Sequence, residues 1–238
     1  MSIAPDIERS ARLYGTEAIS RLKATRVIIF GVGGVGSWCA EALIRSGIVH
    51  LTMVDADVVD VTNINRQLPA TTLTLGQPKA EVLRRRLLDI RPEADIRAIQ
   101  AFYTAENSAD FHLEDYDVVI DAIDSVASKA ALLLHAASLP GTKVYSSMGA
   151  ARRTDPGQIS TAEFWKVKGC PLARALRERY KKASVKPLRK VTCVYSPEPP
   201  KGEDKGTSVA VTASFGLRLA ALVVNAVASD NESVTTHI

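Results

Sequence analysis

Short apolar runs rich in β-branched residues recur along the chain and alternate with segments whose apolar positions have helical spacing. A continuous apolar run of this kind is typical of a strand that is buried on both faces of a parallel sheet. The pattern predicts strands at residues 26–30, 49–54, 95–101, 116–120 and 143–147. It predicts helices at residues 37–46, 78–90, 126–138 and 209–227. This alternation predicts an α/β fold with a mostly parallel, twisted sheet and helices on both faces.

The later part of the chain is more polar and is harder to interpret. Residues 166–190 carry ten basic residues against the single acidic Glu178, which predicts a basic, helical insertion. Residues 197–207 (PEPPKGEDKGT) have the composition of a mobile loop. No repeat and no clear boundary interrupts the chain, so we predict a single Rossmann-like domain over residues 1–238.

Composition narrows the class of protein. Hydrophobic residues make up 46% of the chain and charged residues 24%, as in ordinary globular proteins. Residues 1–10 lack the apolar core of a signal peptide, and the apolar stretch at 217–228 contains Arg218 and is too short to span a bilayer. Three scattered cysteines without CxxC spacing suit a reducing compartment. We therefore predict a cytoplasmic protein without a membrane partner.

A glycine-rich turn, GVGGVG, follows the first predicted strand and precedes a helix. Gly31, Gly33 and Gly36 have the GxGxxG spacing that lets a backbone approach phosphate closely at a helix N-terminus. Asp55 ends the next predicted strand, where a carboxylate can accept hydrogen bonds from ribose hydroxyls. These residues predict a nucleotide site, and they do not distinguish NAD from ATP as its ligand.

Charged residues downstream favour ATP. Asn63, Arg66 and Lys79 lie in one polar stretch and the first turn of the helix after it. Cations are the usual means of holding a triphosphate and of stabilising charge in nucleotidyl transfer. Asp124 lies near the carboxyl end of the fourth predicted strand, where it could hold the Mg²⁺ of ATP.

Each of these residues also has a purely structural interpretation. Asn63 could form a turn, Arg66 could pair with Asp57 or Asp60, Lys79 could be a solvated helix residue, and Asp124 could cap the helix that follows it. A non-catalytic module that binds NAD or tRNA would leave these charges without a task.

The motifs RLYG, GVGGVGS, DADVVDVTNINRQ, GQPKAE and DAID together resemble those of the E1-like adenylating enzymes. The resemblance implies that ATP lies on Gly31, Gly33, Gly34 and Gly36, with Asp55, Asp57, Asn63, Arg66 and Lys79 around it. It implies that Asp124 positions Mg²⁺, and that Arg12 reaches the ATP of a partner subunit in a homodimer. Arg12, Arg66, Lys79 and Asp124 would then support the reaction, in which a substrate carboxylate attacks the α-phosphate.

Further segments resemble the tRNA threonylcarbamoyladenosine dehydratase branch of that family: ERSARLYG, AIDSVASKAAL, SSMGAARRTDPGQI, PLARALRERYKK and VTCVYSPE. This resemblance implies ATP-dependent cyclisation of N6-threonylcarbamoyladenosine in tRNA, and a sulfur-transfer protein as a further candidate partner. The basic run at 166–190 would suit RNA phosphates, although a solvated basic helix has the same composition.

The alternative within the family is adenylation of the C-terminal carboxylate of a ubiquitin-like or sulfur-carrier protein. Members that activate sulfur carriers usually have two zinc-binding CxxC pairs, which this chain lacks. Ubiquitin-type members need a thioester cysteine. Cys170 is the candidate by position, whereas Cys39 is predicted to be core and Cys193 lies in a strand-like run, VTCVY.

Overall fold

The computed structural model of the protein describes residues 5–187, 189–204 and 206–229. Its strands are β1 (Arg26–Phe30), β2 (His50–Val54), β3 (Asp95–Ile99), β4 (Val118–Asp121), β5 (Lys143–Ser147), β6 (Ser160–Glu163) and β7 (Val191–Tyr195). Its helices are α1 (Glu8–Tyr14), α2 (Thr16–Ala24), α3 (Gly36–Arg45), α4 (Lys79–Ile90), α5 (Val126–Ala136), α6 (Pro171–Lys182) and α7 (Val209–Ala228). Short 3-10 helices are found at Pro5–Ile7, Val61–Asn63, Ser108–Phe111, Leu113–Asp115, Pro156–Gln158 and Phe164–Lys166.

The strands form one seven-stranded sheet in the order β3-β2-β1-β4-β5-β7-β6. All neighbouring strands run parallel except β6 and β7, which pair antiparallel at one edge. The predicted α/β fold with a mostly parallel sheet is therefore confirmed. Because the carboxyl ends of the parallel strands meet along one edge, the loops after β1, β2, β4, β5 and β7 gather there.

Helices cover both faces of the sheet, as predicted. Val27 and Ile29 of β1 face a core formed with α1, α2, α3, α4 and α7. Ile28 and Phe30 face a second core formed with α5 and α6. This alternation follows from the period of two along a strand, and it explains why β1 is apolar without interruption.

The C-terminal helix α7 is longer than its most apolar part. It has 20 residues, and by length and composition alone it could cross a membrane. The prediction that the apolar stretch at 217–228 is too short to span a bilayer therefore does not extend to the whole helix. Its buried side chains, such as Phe215 and Leu219, belong to the core that includes α3. A Cβ on Gly216 would lie 2.3 Å from the carbonyl oxygen of Val35, so the two helices approach closely. This packing agrees with the predicted core helix.

Four elements differ from the prediction made for the later and N-terminal parts of the chain. Helices α1 and α2 and the edge strand β6 have no counterpart in it, whereas VTCVY does form β7. The predicted basic helix of 166–190 is only Pro171–Lys182. Gly169 has a φ of +68°, which breaks regular structure, and Pro171 then occupies the first turn, where a proline fits.

Candidate nucleotide site

The glycine turn lies between β1 and α3, as predicted. Gly31 has a φ of +86°, and a Cβ there would lie 2.8 Å from the carbonyl oxygen of Ala122 in the loop after β4. A Cβ on Gly36, the first residue of α3, would lie 1.8 Å from the carbonyl oxygen of Gly31. No side chain fits in that space, so the tight turn that brings the N-terminus of α3 to the edge of the sheet requires glycine at both positions.

Asp55 follows β2 and faces this turn. Its carboxylate accepts hydrogen bonds from the backbone N–H of Val32 at 2.7 Å and of Asp57 at 2.9 Å. Burial raises the pKa of the Asp55 carboxyl, although the two hydrogen bonds oppose the shift. Each carboxylate oxygen can accept a further hydrogen bond, so Asp55 keeps the acceptor capacity that the predicted binding of ribose needs.

Lys79 is the first residue of α4, and its side chain is only 7% exposed. Its ammonium lies 2.8 Å from the carboxylate of Asp57, whose backbone carbonyl also accepts the N–H of Lys79 at 3.0 Å. The interpretation of Lys79 as a solvated helix residue is therefore wrong. An ammonium has three N–H groups, so Lys79 can bind an anion in addition to Asp57.

Arg66 lies against the glycine turn, because its Cγ is 3.2 Å from the position of a Cβ on Gly34. A Cβ on Gly33 would meet the amide of the next residue, Gln67, at 3.5 Å. The guanidinium of Arg66 donates from Nη1 to the carbonyl oxygen of Thr62 and to the side chain of Asn65. It makes no ion pair with a carboxylate in the described ranges, so the alternative pairing of Arg66 with Asp57 or Asp60 is not observed.

For Asn63 the structural interpretation has direct support. Its side-chain oxygen accepts the backbone N–H of Asp60 at 3.2 Å, and Asp60 in turn caps the 3-10 helix Val61–Asn63. Asn63 is 8% exposed, and its amide donates to the hydroxyl of Thr62 at 3.4 Å. A phosphate contact by Asn63 stays a prediction and would use its remaining N–H.

Asp124 lies three residues after β4, at the same edge of the sheet as the turn, and it is exposed. Helix α5 begins after Ser125, and no side chain caps it. Within the described residues Asp124 has no hydrogen bond or ion pair, so the capping role is not observed. Its carboxylate is available for a cation, which agrees with the predicted Mg²⁺ position without testing it.

Arg12 is not part of the site within one chain. It lies on the exposed face of α1, where its guanidinium contacts Glu8 one turn away at 2.6 Å. No hydrogen bond or ion pair in the described structure joins Arg12 to the turn or to α4. The predicted role of Arg12 at the nucleotide of a partner subunit stays a prediction.

A buried ion pair beneath this edge was not predicted. Asp121, the last residue of β4, and Lys129 of α5 are both fully buried, with 2.5 Å between carboxylate and ammonium. The ammonium also donates to the carbonyl oxygen of Ser147 at 2.9 Å, and the hydroxyl of Ser146 donates to Asp121 at 2.6 Å. The other oxygen of Asp121 accepts the N–H of Ile123 at 3.1 Å. The network thus connects the end of β5 to the loop that carries Asp124.

The cysteines do not form a reactive centre. Cys39, Cys170 and Cys193 are all buried and free of disulfides. Burial raises the pKa of the Cys39 and Cys193 thiols well above the ordinary range, so both stay protonated at neutral pH. Cys170 is 4% exposed at the start of α6, which leaves no accessible thiol at the predicted thioester position.

The loop after β5 is covered by the segment that follows β7. Arg152 donates to the carbonyl oxygens of Lys201 and Gly202. Arg153 is 3% exposed, so it does not extend the surface charge of the basic helix. Its Nη2 donates to the carbonyl oxygen of Gly169 at 3.4 Å. Its Nε and Nη1 have no acceptor in the described part of the chain. The residues of this covering segment that make these contacts lie within the predicted mobile loop, residues 197–207, whose mobility stays a prediction.

Glu198 attaches the covering segment to the loop. Its carboxylate accepts the backbone N–H groups of Thr154 and Asp155, each at 3.1 Å, and the hydroxyl of Thr154 at 3.0 Å. The ammonium of Lys201 lies 3.4 Å away. Hydrogen bonds from these backbone groups lower the pKa of Glu198 to about 2.

We expect Glu198→Gln to lower Tm at neutral pH and to lose this effect in acid. Because the folded pKa lies below the unfolded value of about 4.3, the stabilisation is full above that value and disappears as pH falls towards the folded value. Thermal unfolding of both proteins between about pH 7 and pH 3 measures the difference in Tm. Glu203→Gln, an exposed residue of the same segment, is the control. A difference in Tm that is constant with pH would contradict the assignment.

Comparison with known proteins agrees with the geometry. Residues 7–236 match the model of the ThiF family. The chain is 40% identical to tRNA threonylcarbamoyladenosine dehydratase of Bacillus subtilis over 192 residues, which cover 81% of this chain and 74% of that protein. It is 40% identical to the enzyme of the same name from Escherichia coli over 196 residues, which cover 79% of this chain and 72% of that protein.

Solved structures give the same result. The structure of E. coli tRNA N6-threonylcarbamoyladenosine dehydratase in complex with ATP superimposes with a TM-score of 0.91 at 35% identity, covering 98% of this chain and 100% of that chain. The AMP complex of that enzyme gives a TM-score of 0.90 at 35% identity, covering 98% and 99%. From the family match and from these relatives, the chain belongs to the ThiF family.

Proposed function

We propose that this chain is an ATP-dependent dehydratase that cyclises N6-threonylcarbamoyladenosine in tRNA through an acyl-adenylate. The observation that carries the proposal is the grouping of Asp55, Arg66 and Lys79 around the glycine turn, with Asp124 exposed at the same edge. The cations suit a triphosphate better than a dinucleotide, whose pyrophosphate carries less charge. Relatives at 40% identity supply the substrate class by their names.

In the first step, a carboxylate oxygen of the threonyl group attacks the α-phosphorus of ATP. The bond between the α-phosphorus and its bridging oxygen breaks, pyrophosphate leaves, and an acyl-adenylate forms. Arg66 and Lys79 stabilise the negative charge that develops on the phosphates. Electrostatic stabilisation by fixed groups of this kind is usually the largest single contribution to catalysis. In the absence of a nucleotide, the carboxylate of Asp57 is the counter-ion of the Lys79 ammonium.

In the second step, a nucleophile of the same side chain attacks the activated carbonyl carbon. The bond to AMP breaks and a ring closes, so the modified nucleoside loses one water in total while ATP is hydrolysed to AMP and pyrophosphate. No enzyme thiol takes part, which suits a chain whose three cysteines are all buried.

Mg²⁺ is proposed as the companion of ATP. Asp124 is its candidate ligand, because Mg²⁺ usually binds one or two carboxylates together with substrate phosphates. When bound, the cation neutralises phosphate charge. The described residues contain no cluster of three or more metal-ligating side chains, which fits a cation delivered with the nucleotide.

The test is formation of AMP and pyrophosphate with different carboxylate donors. We expect turnover with tRNA that carries threonylcarbamoyladenosine, together with the loss of the mass of one water from that nucleoside, and no turnover with unmodified tRNA. Equal turnover with unmodified tRNA would overturn the proposal. Turnover with a Gly-Gly-ending carrier protein alone would assign the chain to carrier activation instead.

A homodimer is proposed from the distribution of exposed apolar residues. Leu13 stands beside Arg12 on α1 and is 74% exposed. Val61, Ile64 and Val209 are exposed next to the nucleotide site, where Asn65 donates to the carbonyl oxygen of Thr207. Contact between α1 of one protomer and this second patch of its partner would be repeated by symmetry and would bring Arg12 to the partner's phosphates. A sulfur-transfer protein partner stays a prediction.

Mixing two inactive variants tests the dimer. We expect Arg12→Ala and Asp124→Ala subunits each to be impaired, and their mixture to recover about one quarter of the wild-type rate, because half of randomly paired dimers contain one intact site of two. The measurement is AMP formation after mixing and re-equilibration. A mixture no more active than its components would place Arg12 outside the partner's site.

A further inference from the structure

A cavity of about 570 Å³ lies outside the nucleotide site, between α5, α6 and the segment after β3. Cavities of roughly 300–1,000 Å³ commonly hold small organic groups. Its floor consists of small side chains of α5, namely Ala127, Ala130 and Ala131. This floor starts at Ala127, three residues after Asp124, so the cavity runs along α5 away from the edge of the sheet that carries the nucleotide site.

Two polar side chains lie beside this apolar floor. The hydroxyl of Tyr103 lies 2.8 Å from Nδ1 of His135, and both residues line the cavity. Tyr103 is 2% exposed, and burial raises its pKa to about 12, so it keeps its proton and can donate to Nδ1. The other ring nitrogen of His135, Nε2, has no hydrogen-bond partner among the residues that the structure describes. The cavity thus offers a flat apolar surface with a ring nitrogen at its side that can form a hydrogen bond.

Arg179 is the cation that lines the opposite wall. Lys182 and Lys186 are exposed next to the lining residues Ala183 and Val185 in the chain. Arg174 and Lys181 are exposed on the other side of α6, because they lie about half a turn around the helix from Ala183. Arg177 does not belong to this surface, since its guanidinium donates to the carbonyl oxygens of Phe164 and Val167. A molecule that suits this cavity carries repeated negative charges. It also has a flat, apolar group that can turn out of the rest of the molecule into the cavity.

We propose that this cavity binds an unstacked nucleobase of the tRNA substrate, close to the nucleotide that is activated. Nucleobases have apolar faces and polar edges, and proteins recognise single-stranded RNA by taking such bases out of the stack. Arg179, Lys182 and Lys186 would contact the phosphates that flank this base. This inference rests on the proposed function and specifies how the RNA is held.

Filling the cavity tests the inference. Ala131→Leu adds bulk on the floor and keeps a good helix former in α5, so folding is retained. We expect the affinity for tRNA that carries threonylcarbamoyladenosine to fall about tenfold or more, as when a stacked base loses its site. Affinity for ATP and the slope of RNA affinity against salt should not change, because no phosphate contact is lost. Ala109→Leu is the matched control, since Ala109 is exposed near the cavity but does not line it.

Abasic substitution of the RNA distinguishes a base from other groups of the substrate. The same tRNA is prepared with single abasic sites at the nucleotides that flank the modified adenosine. For the wild-type protein one such site should weaken binding about tenfold, and for Ala131→Leu the same site should have no further effect. Equal RNA binding by Ala131→Leu and Ala109→Leu, or an abasic effect that is the same in both proteins, would overturn the inference. A wild-type protein that binds no tRNA would refute the proposed function itself, and this inference with it.

Discussion

Lys129→Met should lower the free energy of unfolding by about 3–5 kcal/mol, the usual cost of removing one partner of a buried ion pair. Lys129 and Asp121 are both fully buried, and the ammonium has acceptors on β4 and β5 as well as the hydroxyl of Ser146 at 3.4 Å. Methionine keeps the length of the side chain but leaves the carboxylate of Asp121 without its counter-charge. Chemical denaturation at neutral pH measures the effect, as a lower midpoint with an unchanged slope.

A double variant separates the charge from the packing. In Lys129→Met with Asp121→Asn the unpaired charge is gone, so most of the lost stability should return. If the single variant Lys129→Met is as stable as the wild type, the ion pair contributes nothing to the fold. If the double variant is no more stable than the single one, the loss comes from packing and not from charge.

Lys79→Ala should lower turnover about 10²-fold or more, which is the scale on which a preorganised charge donor acts. The side chain is held at the start of α4 by Asp57, so it is already in place when the triphosphate arrives. Single-turnover formation of pyrophosphate measures the first chemical step, and the affinity for ATP is measured separately by titration. We expect the rate to fall more than the affinity, because the charge to be stabilised grows in the transition state.

Arg84→Ala provides the control on the same helix. Arg84 pairs with Glu81 on the surface of α4, one turn and more beyond Lys79, and has no contact with the turn. Its loss should leave turnover within about twofold, because exposed ion pairs contribute little. A near-normal rate for Lys79→Ala, or equal losses in the two variants, would remove Lys79 from the phosphate site.

The strands at the centre of the sheet could be predicted because they are buried on both faces. The apolar run of β1 needs no partner to be recognised, and the structure places it where the pattern does. The edge strand β6 could not be found in this way, because Ser160–Glu163 is only half-buried and has no apolar alternation. Its conformation depends on pairing with β7, which only the folded chain supplies.

The candidate site shows the same limit. The spacing of Gly31 and Gly36 with Asp55 predicts a turn and its acidic neighbour from local rules alone. Lys129 gives no such signal, because a lysine in a helix is solvated in most proteins. Its burial depends on contacts with Asp121, eight residues earlier, and with the end of β5. In the sequence, a carboxylate at the end of an apolar strand was the only feature that could have indicated this buried ion pair.

The contact between the glycine turn and α7 has a consequence for how the protein folds while it is being synthesised. A Cβ on Gly34 would meet Thr212 at 3.3 Å, and Gly216 packs against the start of α3, although α7 follows every strand of the sheet in the chain. The ribosome therefore releases the turn and α3 long before the helix that covers them. Until α7 emerges, the apolar face of α3 that this helix covers in the folded chain is left without its partner.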